Sequence, residues 1–375
     1  MPRIRRIRRK KPRAGSVWKK LLLWGVLGML VLAAAVVAGS YLYVRAYLKS
    51  DGFLAMLEQS AVDDMNVETA RIDPLDWDGS GIRCGGVTME GHEFLTSLQA
   101  RNIETEFSRW ELLKRAFVIT SVNIAELKLR LAPVPFRFRE KPEGARSWAE
   151  ENILPDTFRL EKGSIDSLSV SYGEAGRPYV LDGTRVESAY DAGSSQYRFE
   201  MQGGRLLLPF KGCPEFSLMS GTAQFNHASR RVNVPSCRLT TAAGGYLDIK
   251  GDWDGSSSSW TANMVVNGVP ASSVLEGHWK KHVQGSVSGG IDLRGGRDGV
   301  THVAGLARLQ GGMLTGLPVL DRLALFCGSS RFRNLPLHEA SAQFSYQESA
   351  WHISNILVES DVNKMIAEGV ATKAD

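Results

Sequence analysis

Few residues in this chain combine the type and the spacing that chemistry needs. Seven histidines occur, at His92, His227, His278, His282, His302, His338 and His352. Only His278 and His282 stand four apart, the spacing that sets two imidazoles on one face of a helix. Their segment, EGHWKKH, lacks the glutamate that an H-E-x-x-H zinc site uses as its base. It reads as a solvated turn. Gly285–Gly289 (GSVSG) has the outline of a nucleophile elbow, but Val287 stands where that turn requires serine. No phosphate-binding loop ending in Gly-Lys-Ser/Thr is present.

The pentapeptide DWDGS occurs twice, at Asp76–Ser80 and Asp252–Ser256. A calcium loop of the EF-hand type would carry glutamate at its twelfth position, where Val87 and Asn263 stand. Asp-Gly between alternating segments is instead a hairpin signal, and two turns are expected here. The cysteines Cys84, Cys213, Cys237 and Cys327 form no CxxC pair. A single Cys213–Cys237 bridge and buried free thiols both fit their spacing. These patterns single out no catalytic residue, no cofactor site and no metal site.

The elements around these residues are mostly strands. Beyond about residue 66 the apolar residues alternate. Leu127, Leu129 and Leu131 alternate with Lys128 and Arg130, and Phe136 and Phe138 with Arg137 and Arg139. Leu168, Val170 and Tyr172 alternate with serines. Tyr197, Phe199 and Met201 follow, then Leu206, Leu208 and Phe210. Each run is a strand with one apolar and one polar face. Period 2 places Leu127, Leu129, Leu131, Phe136 and Phe138 on one face and their basic neighbours on the other.

Helices are few. Asp51–Val62 has roughly helical apolar spacing. Capping-box patterns open SRWELLKR at Ser108 and SWAEENIL at Ser147. Pro318–Phe326 has proline in its first turn. A weak repeat is also present: Ala223-Gln224-Phe225 recurs as Ala342-Gln343-Phe344. Each copy leads into further strands, closing at Ile249-Lys250-Gly251 and at Ile366-Ala367-Glu368-Gly369. Units that share an apolar face suggest stacking by addition.

The N-terminal end differs from the rest. From Leu21 to Val44 there are 24 residues without a charge. As a helix they span ~36 Å, enough to cross a bilayer with some tilt. Trp18, Trp24, Tyr41 and Tyr43 lie towards the two ends, where amphipathic rings favour the interface. Residues 1–20 hold ten Lys or Arg and no acid. The positive-inside rule places this arm in the cytoplasm and the remainder across the membrane. A cleaved signal peptide would have a shorter apolar region and an A-x-A site, so an uncleaved anchor is expected.

The whole chain has 45 basic and 40 acidic residues, a net +5. Without the ten of the arm, 35 basic residues face 40 acidic ones, a net −5. The body is mildly acidic, which argues against a nucleic-acid partner. Beside an apolar helix, topology and anionic headgroups account for the arm more simply than RNA or DNA. The expected layout is a basic arm (1–20), a transmembrane helix (21–44), a membrane-proximal helix (45–65) and a β-rich domain (66–375).

That order resembles the AsmA-like family of envelope proteins. Three stretches carry the resemblance: LLKRAFVITSVNIAELKLRL (Leu112–Leu131), GLARLQGGMLTGLPVLDRL (Gly305–Leu323) and the closing strands from Ala340 to Asp375. The chain is short for that family. The resemblance implies an all-β fold, an elongated, curved antiparallel sheet or groove behind one N-terminal transmembrane α-helix, with a few short helices. It also implies a role in envelope biogenesis, with phospholipid acyl chains and the inner membrane as partners and no catalytic residues. Period-2 strands fit an open groove, in which Leu127, Leu129, Leu131, Phe136 and Phe138 meet lipid. They fit equally a closed sandwich that serves as an anchored scaffold for an envelope protein partner. An anchored hydrolase with dispersed carboxylates is the remaining class, since paired carboxylates are recognised only in three dimensions.

Overall fold

The computed structural model describes residues 46, 50–65, 67–77, 81–91, 93–108, 116–134, 157–174, 176–209, 213–226, 228–275, 277, 279–296, 299–347, 350–360 and 364–372. The first complete element among the described residues is helix α1 (Asp51–Met65). Ser50 caps it, its hydroxyl accepting from the Phe53 N–H at 3.3 Å. Strands follow as β1 (Thr69–Ile72), β2 (Leu75–Trp77), β3 (Gly81–Glu90), β4 (Leu95–Phe107), β5 (Ala116–Leu131), β6 (Thr157–Leu160) and β7 (Lys162–Tyr172). Next come β8 (Tyr179–Asp191), β9 (Gln196–Gln202), β10 (Arg205–Leu207), β11 (Phe216–Asn226), β12 (Arg231–Thr241), β13 (Tyr246–Asp254) and β14 (Ser259–Pro270). Two single-turn helices, α2 (Ala271–Val274) and α3 (Trp279–His282), precede β15 (Val283–Gly296) and β16 (Gly299–Thr315). Helix α4 (Pro318–Phe326) and a 3-10 turn (Ser330–Arg333) lead into β17 (Asn334–Gln347), β18 (Ala350–Ser360) and β19 (Lys364–Thr372).

All nineteen described strands belong to one sheet. Three positions in it are each filled by two short strands. β1 and β2 share the edge beside β3. β6 and β7 lie in line beside β5. β9 and β10 lie in line between β8 and β11. Sixteen positions remain, and from β11 onward each strand pairs with the next as an antiparallel meander. At ~4.8 Å per step the sheet runs roughly 70 Å from its β1/β2 edge to its β19 edge.

One expectation is corrected. The sheet is mixed, because β5 pairs in parallel with β6 and β7. The chain leaves the end of β5 at Leu131 and re-enters the sheet at Thr157 beside the start of β5. A hairpin would reverse direction; a return of this length lets the next strand run the same way.

Two helices and several strands lie where the sequence predicts them. α1 covers the expected Asp51–Val62, and α4 has the expected bounds. The second DWDGS forms the β13–β14 turn, and the first begins at the end of β2, its last three residues lying outside the described residues. The two Ala-Gln-Phe copies lie in β11 and β17 and open equivalent three-strand units. β10 stops at Leu207, two residues before Pro209, which has no N–H for a ladder. The apolar segment 21–44, the capping-box helices and the Phe136–Phe138 run lie outside the described residues. Among the described residues no helix is long and apolar enough to cross a membrane.

The strands share a device that plain alternation lacks. Apolar residues step by two, then once by three, then by two again. β3 shows it as Ile82, Cys84, Val87, Met89, and β5 as Val122, Ile124, Leu127, Leu129. β12 repeats it as Val232, Val234, Cys237, Leu239, and β18 as Trp351, Ile353, Ile356, Val358. At each such step one residue must be taken out of the ladder, or the apolar set would switch faces. Register shifts lie between Val234 and Cys237 and between Ile353 and Ile356. Asn102 in β4 and Asn355 in β18 adopt φ of 50°, and Gly183, Gly268 and Gly311 are also left-handed. Bulges bend and twist the strands that carry them.

Candidate functional site: one apolar face

Register carries a single apolar row across the whole sheet. It runs Leu75, Cys84, Ile103, Ile124, Ile165, Val186, Met201 and Gly221 through the first eight positions. It continues as Cys237, Ile249, Met264, Ile291, Gly305, Phe344, Ile353 and Gly369. Every one of the sixteen positions contributes one residue, and each is apolar or glycine. Directly paired residues point to the same side, so the row marks one face.

The opposite face is polar in the same way. Arg83, Glu104, Asn123, Ser164, Glu187, Glu200, Thr222 and Ser236 form a row from β3 to β12. Ion pairs cross it, among them Arg101–Glu126 at 3.2 Å, Arg205–Asp182 at 2.9 Å and Arg238–Asp248 at 2.7 Å. Such exposed pairs add little to stability, because water and salt screen them.

Burial on the apolar face is partial. Of the sixteen row residues only Leu75, Cys84, Val186 and Gly221 are buried; Gly369 is exposed and the rest are half-buried. A sandwich interior would bury such residues fully. The face closes locally where Phe216, Leu218, Leu239, Leu247 and Val269 form an aliphatic cluster, with Cys213 and Cys237 packed against it. Aromatic rings edge other parts. Register sets Tyr190, Tyr197, Phe225, Val232, Trp253 and Trp260 side by side towards the turns at the other end of the strands. Tyr346 and Trp351 lie 5.1 Å apart between ring centres, and Tyr172 and Tyr179 lie 6.2 Å apart.

Leu127, Leu129 and Leu131 are half-buried, while Lys128 and Arg130 are exposed. Lys128 reaches Glu126 on the polar face at 2.6 Å. The three leucines pair with Leu168, Val170 and Tyr172, so they belong to the apolar face. Phe136 and Phe138 lie outside the described residues. The three-residue step in β3, β5, β12 and β18 was the signal for the row members on those strands.

Among the described carboxylates, those with a resolved shift move downward. A serine hydroxyl is the leading cause at Asp182, Asp191 and Asp254; Arg238 is at Asp248, and Lys128 at Glu126. A general acid at neutral pH needs the opposite shift. A shallow depression of about 510 Å³ on the polar side is lined by Asn233, Asp252, Arg231 and Asp254. Asn233 donates to Asp252 at 2.7 Å and Arg231 to Asp254 at 3.2 Å, so these acids have structural partners. His282 lies with Nδ1 at 2.6 Å from the Thr315 carbonyl oxygen. Among the described residues no three metal-ligating side chains cluster. All four cysteines are free thiols, and burial raises the pKa of Cys84, Cys213 and Cys237.

No family model, no curated protein and no solved structure matches this chain. Its sheet and the chemistry of its two faces carry the functional argument.

Proposed function

We propose that this protein is a membrane-anchored, non-enzymatic conduit for phospholipid acyl chains, an envelope-biogenesis factor of AsmA-like type. The observation that carries this reading is the unbroken apolar row across sixteen strand positions, most of it half-buried. An apolar surface of that length left to water is costly, at ~25 cal/mol per Å². Acyl chains are a cover that needs no fixed partner shape. Chains lying along the row would meet aliphatic side chains and glycine, with aromatic rings at the edges near headgroup level. Transfer by diffusion along such a face involves no covalent step. The apolar segment 21–44 anchors the chain in the inner membrane, the basic arm stays in the cytoplasm, and the sheet lies in the periplasm.

The test compares Leu129→Glu on the apolar face with Arg130→Glu on the polar face. Phospholipid co-purifying with the full chain is measured together with thermal stability. In an open face the carboxylate stays solvated when lipid is absent, so Leu129→Glu keeps its fold and loses bound lipid. In a closed core the same change buries a charge and unfolds the domain, at a cost of several kcal/mol. A wild type without lipid, together with an unfolded Leu129→Glu, would replace the conduit by a closed scaffold.

A further inference from the structure

We infer that the end of the sheet bearing α2, α3 and α4 docks onto an anionic phospholipid surface. This inference is independent of the conduit reading, since a scaffold could dock in the same way. It begins with topology. β14 ends at Pro270 and β15 starts at Val283, with α2 and α3 between them. β16 ends at Thr315 and β17 starts at Asn334, with α4 and the 3-10 turn between them. Val283 pairs with Leu314, and Thr315 with Asn334, so both insertions leave the sheet at one end. They are tied together there. His282 Nδ1 lies 2.6 Å from the Thr315 carbonyl oxygen, and the Thr315 hydroxyl donates to the Lys281 carbonyl at 3.4 Å.

This end exposes apolar side chains that the sheet does not use. α4 turns Leu320 and Ala324 inward, yet Leu325 is 75% exposed and Phe326 91%. In the companion insertion Trp279 is 54% exposed and Val274 43%. Scattered single residues of this kind are ordinary; these four lie in two insertions tied together at one end of the sheet.

Charge selects the partner. The two insertions carry Lys280, Lys281, Arg322, Arg331 and Arg333 against Glu276 and Asp321, a local net of +3. The chain beyond residue 20 is −5 overall. A basic patch on an acidic body, carrying exposed Trp, Leu and Phe, is complementary to anionic headgroups over an acyl layer. The patch lies at β14–β17, about 50 Å along the sheet from the β1 edge, and register puts it at the same strand ends as Thr69, where α1 leads into the sheet.

The experiment uses the full chain with its anchor held in phosphatidylcholine nanodiscs. Capture of added vesicles, either pure phosphatidylcholine or containing phosphatidylglycerol, is read by co-sedimentation. The expected result is capture of the phosphatidylglycerol vesicles, weakened about tenfold in the double variant Leu325→Glu/Phe326→Glu. The double variant Lys280→Glu/Lys281→Glu should lose capture in a salt-dependent way. Both pairs are exposed, so melting temperature should stay at the wild-type value. The basic arm is the same in all three proteins, so equal capture by all of them would assign binding to the arm and overturn the proposal. So would a wild type that captures no anionic vesicles. A wild-type dimer that Leu325→Glu/Phe326→Glu dissociates would make this end a self-association surface instead.

Discussion

Gly305 lies beneath the ring of Phe344 on the neighbouring strand. A Cβ built at Gly305 would fall 2.5 Å from the ring Cζ and 2.8 Å from the Gly290 carbonyl oxygen. The two residues are paired in register, so the ring fills the space that a side chain would take on the apolar face. Gly305→Ala should therefore destabilise the sheet by ~1–3 kcal/mol through overpacking. Gly290→Ala is the control, because nothing lies within 4 Å of a Cβ there. It should leave stability unchanged or raise it by up to ~1 kcal/mol. Thermal unfolding of the two variants checks the difference, and equal melting points would show that the ring moves aside freely.

Asn355 marks the point where β18 takes its three-residue step. Its φ is 50°, and its side-chain amide donates to Gln343 Oε1 at 2.8 Å. Asn355→Val forces a branched side chain into the left-handed region and should cost ~1–2 kcal/mol. Asn355→Gly fits that backbone and should stay within ~0.5 kcal/mol of wild type. With Asn355 removed, Trp351, Ile353, Ile356 and Val358 would step by two and stay on the apolar side, so a deletion would cost the bulge and its bond to Gln343 but not the face. Circular dichroism melts should rank Asn355→Val below Asn355→Gly.

Asp254 makes the β13–β14 turn sensitive to acid. The Ser256 hydroxyl and amide, then the Ser257 amide and Arg231, hold its carboxyl down at about 2, against an ordinary 3.8. A carboxylate depressed in the folded state stabilises above its unfolded pKa, and that contribution disappears as pH falls through the folded value. The window is therefore about pH 4 down to about pH 2. Asp254→Ala should lower the melting temperature at pH 5 and flatten its fall across that window. Melting curves that run parallel in wild type and variant would remove the turn from the acid response. The same sign applies to Asp248, lowered by Arg238, and to Asp182, lowered by the Ser169 hydroxyl.

Local alternation alone determined much of the β-rich character. LKLRL from Leu127 to Leu131 and the serine-spaced run from Leu168 to Tyr172 are strands because successive side chains of an extended chain point to opposite sides. Ser50 and Pro318 start the helices α1 and α4 from within a few residues, and Asp-Gly turns need only their own backbone. The tertiary structure decided which residues stand side by side. Ile124 meets Ile165 because the long return after Leu131 sends the next strand in parallel, and nothing inside either strand specifies that direction. Cys237 joins Ile249 in the apolar row because β12 bulges after Val234, so that three residues span what two would elsewhere. Strict period 2 assigns such residues to the wrong face. Hydrogen-bond register between neighbours corrects it, and register is a property of paired strands rather than of any one of them.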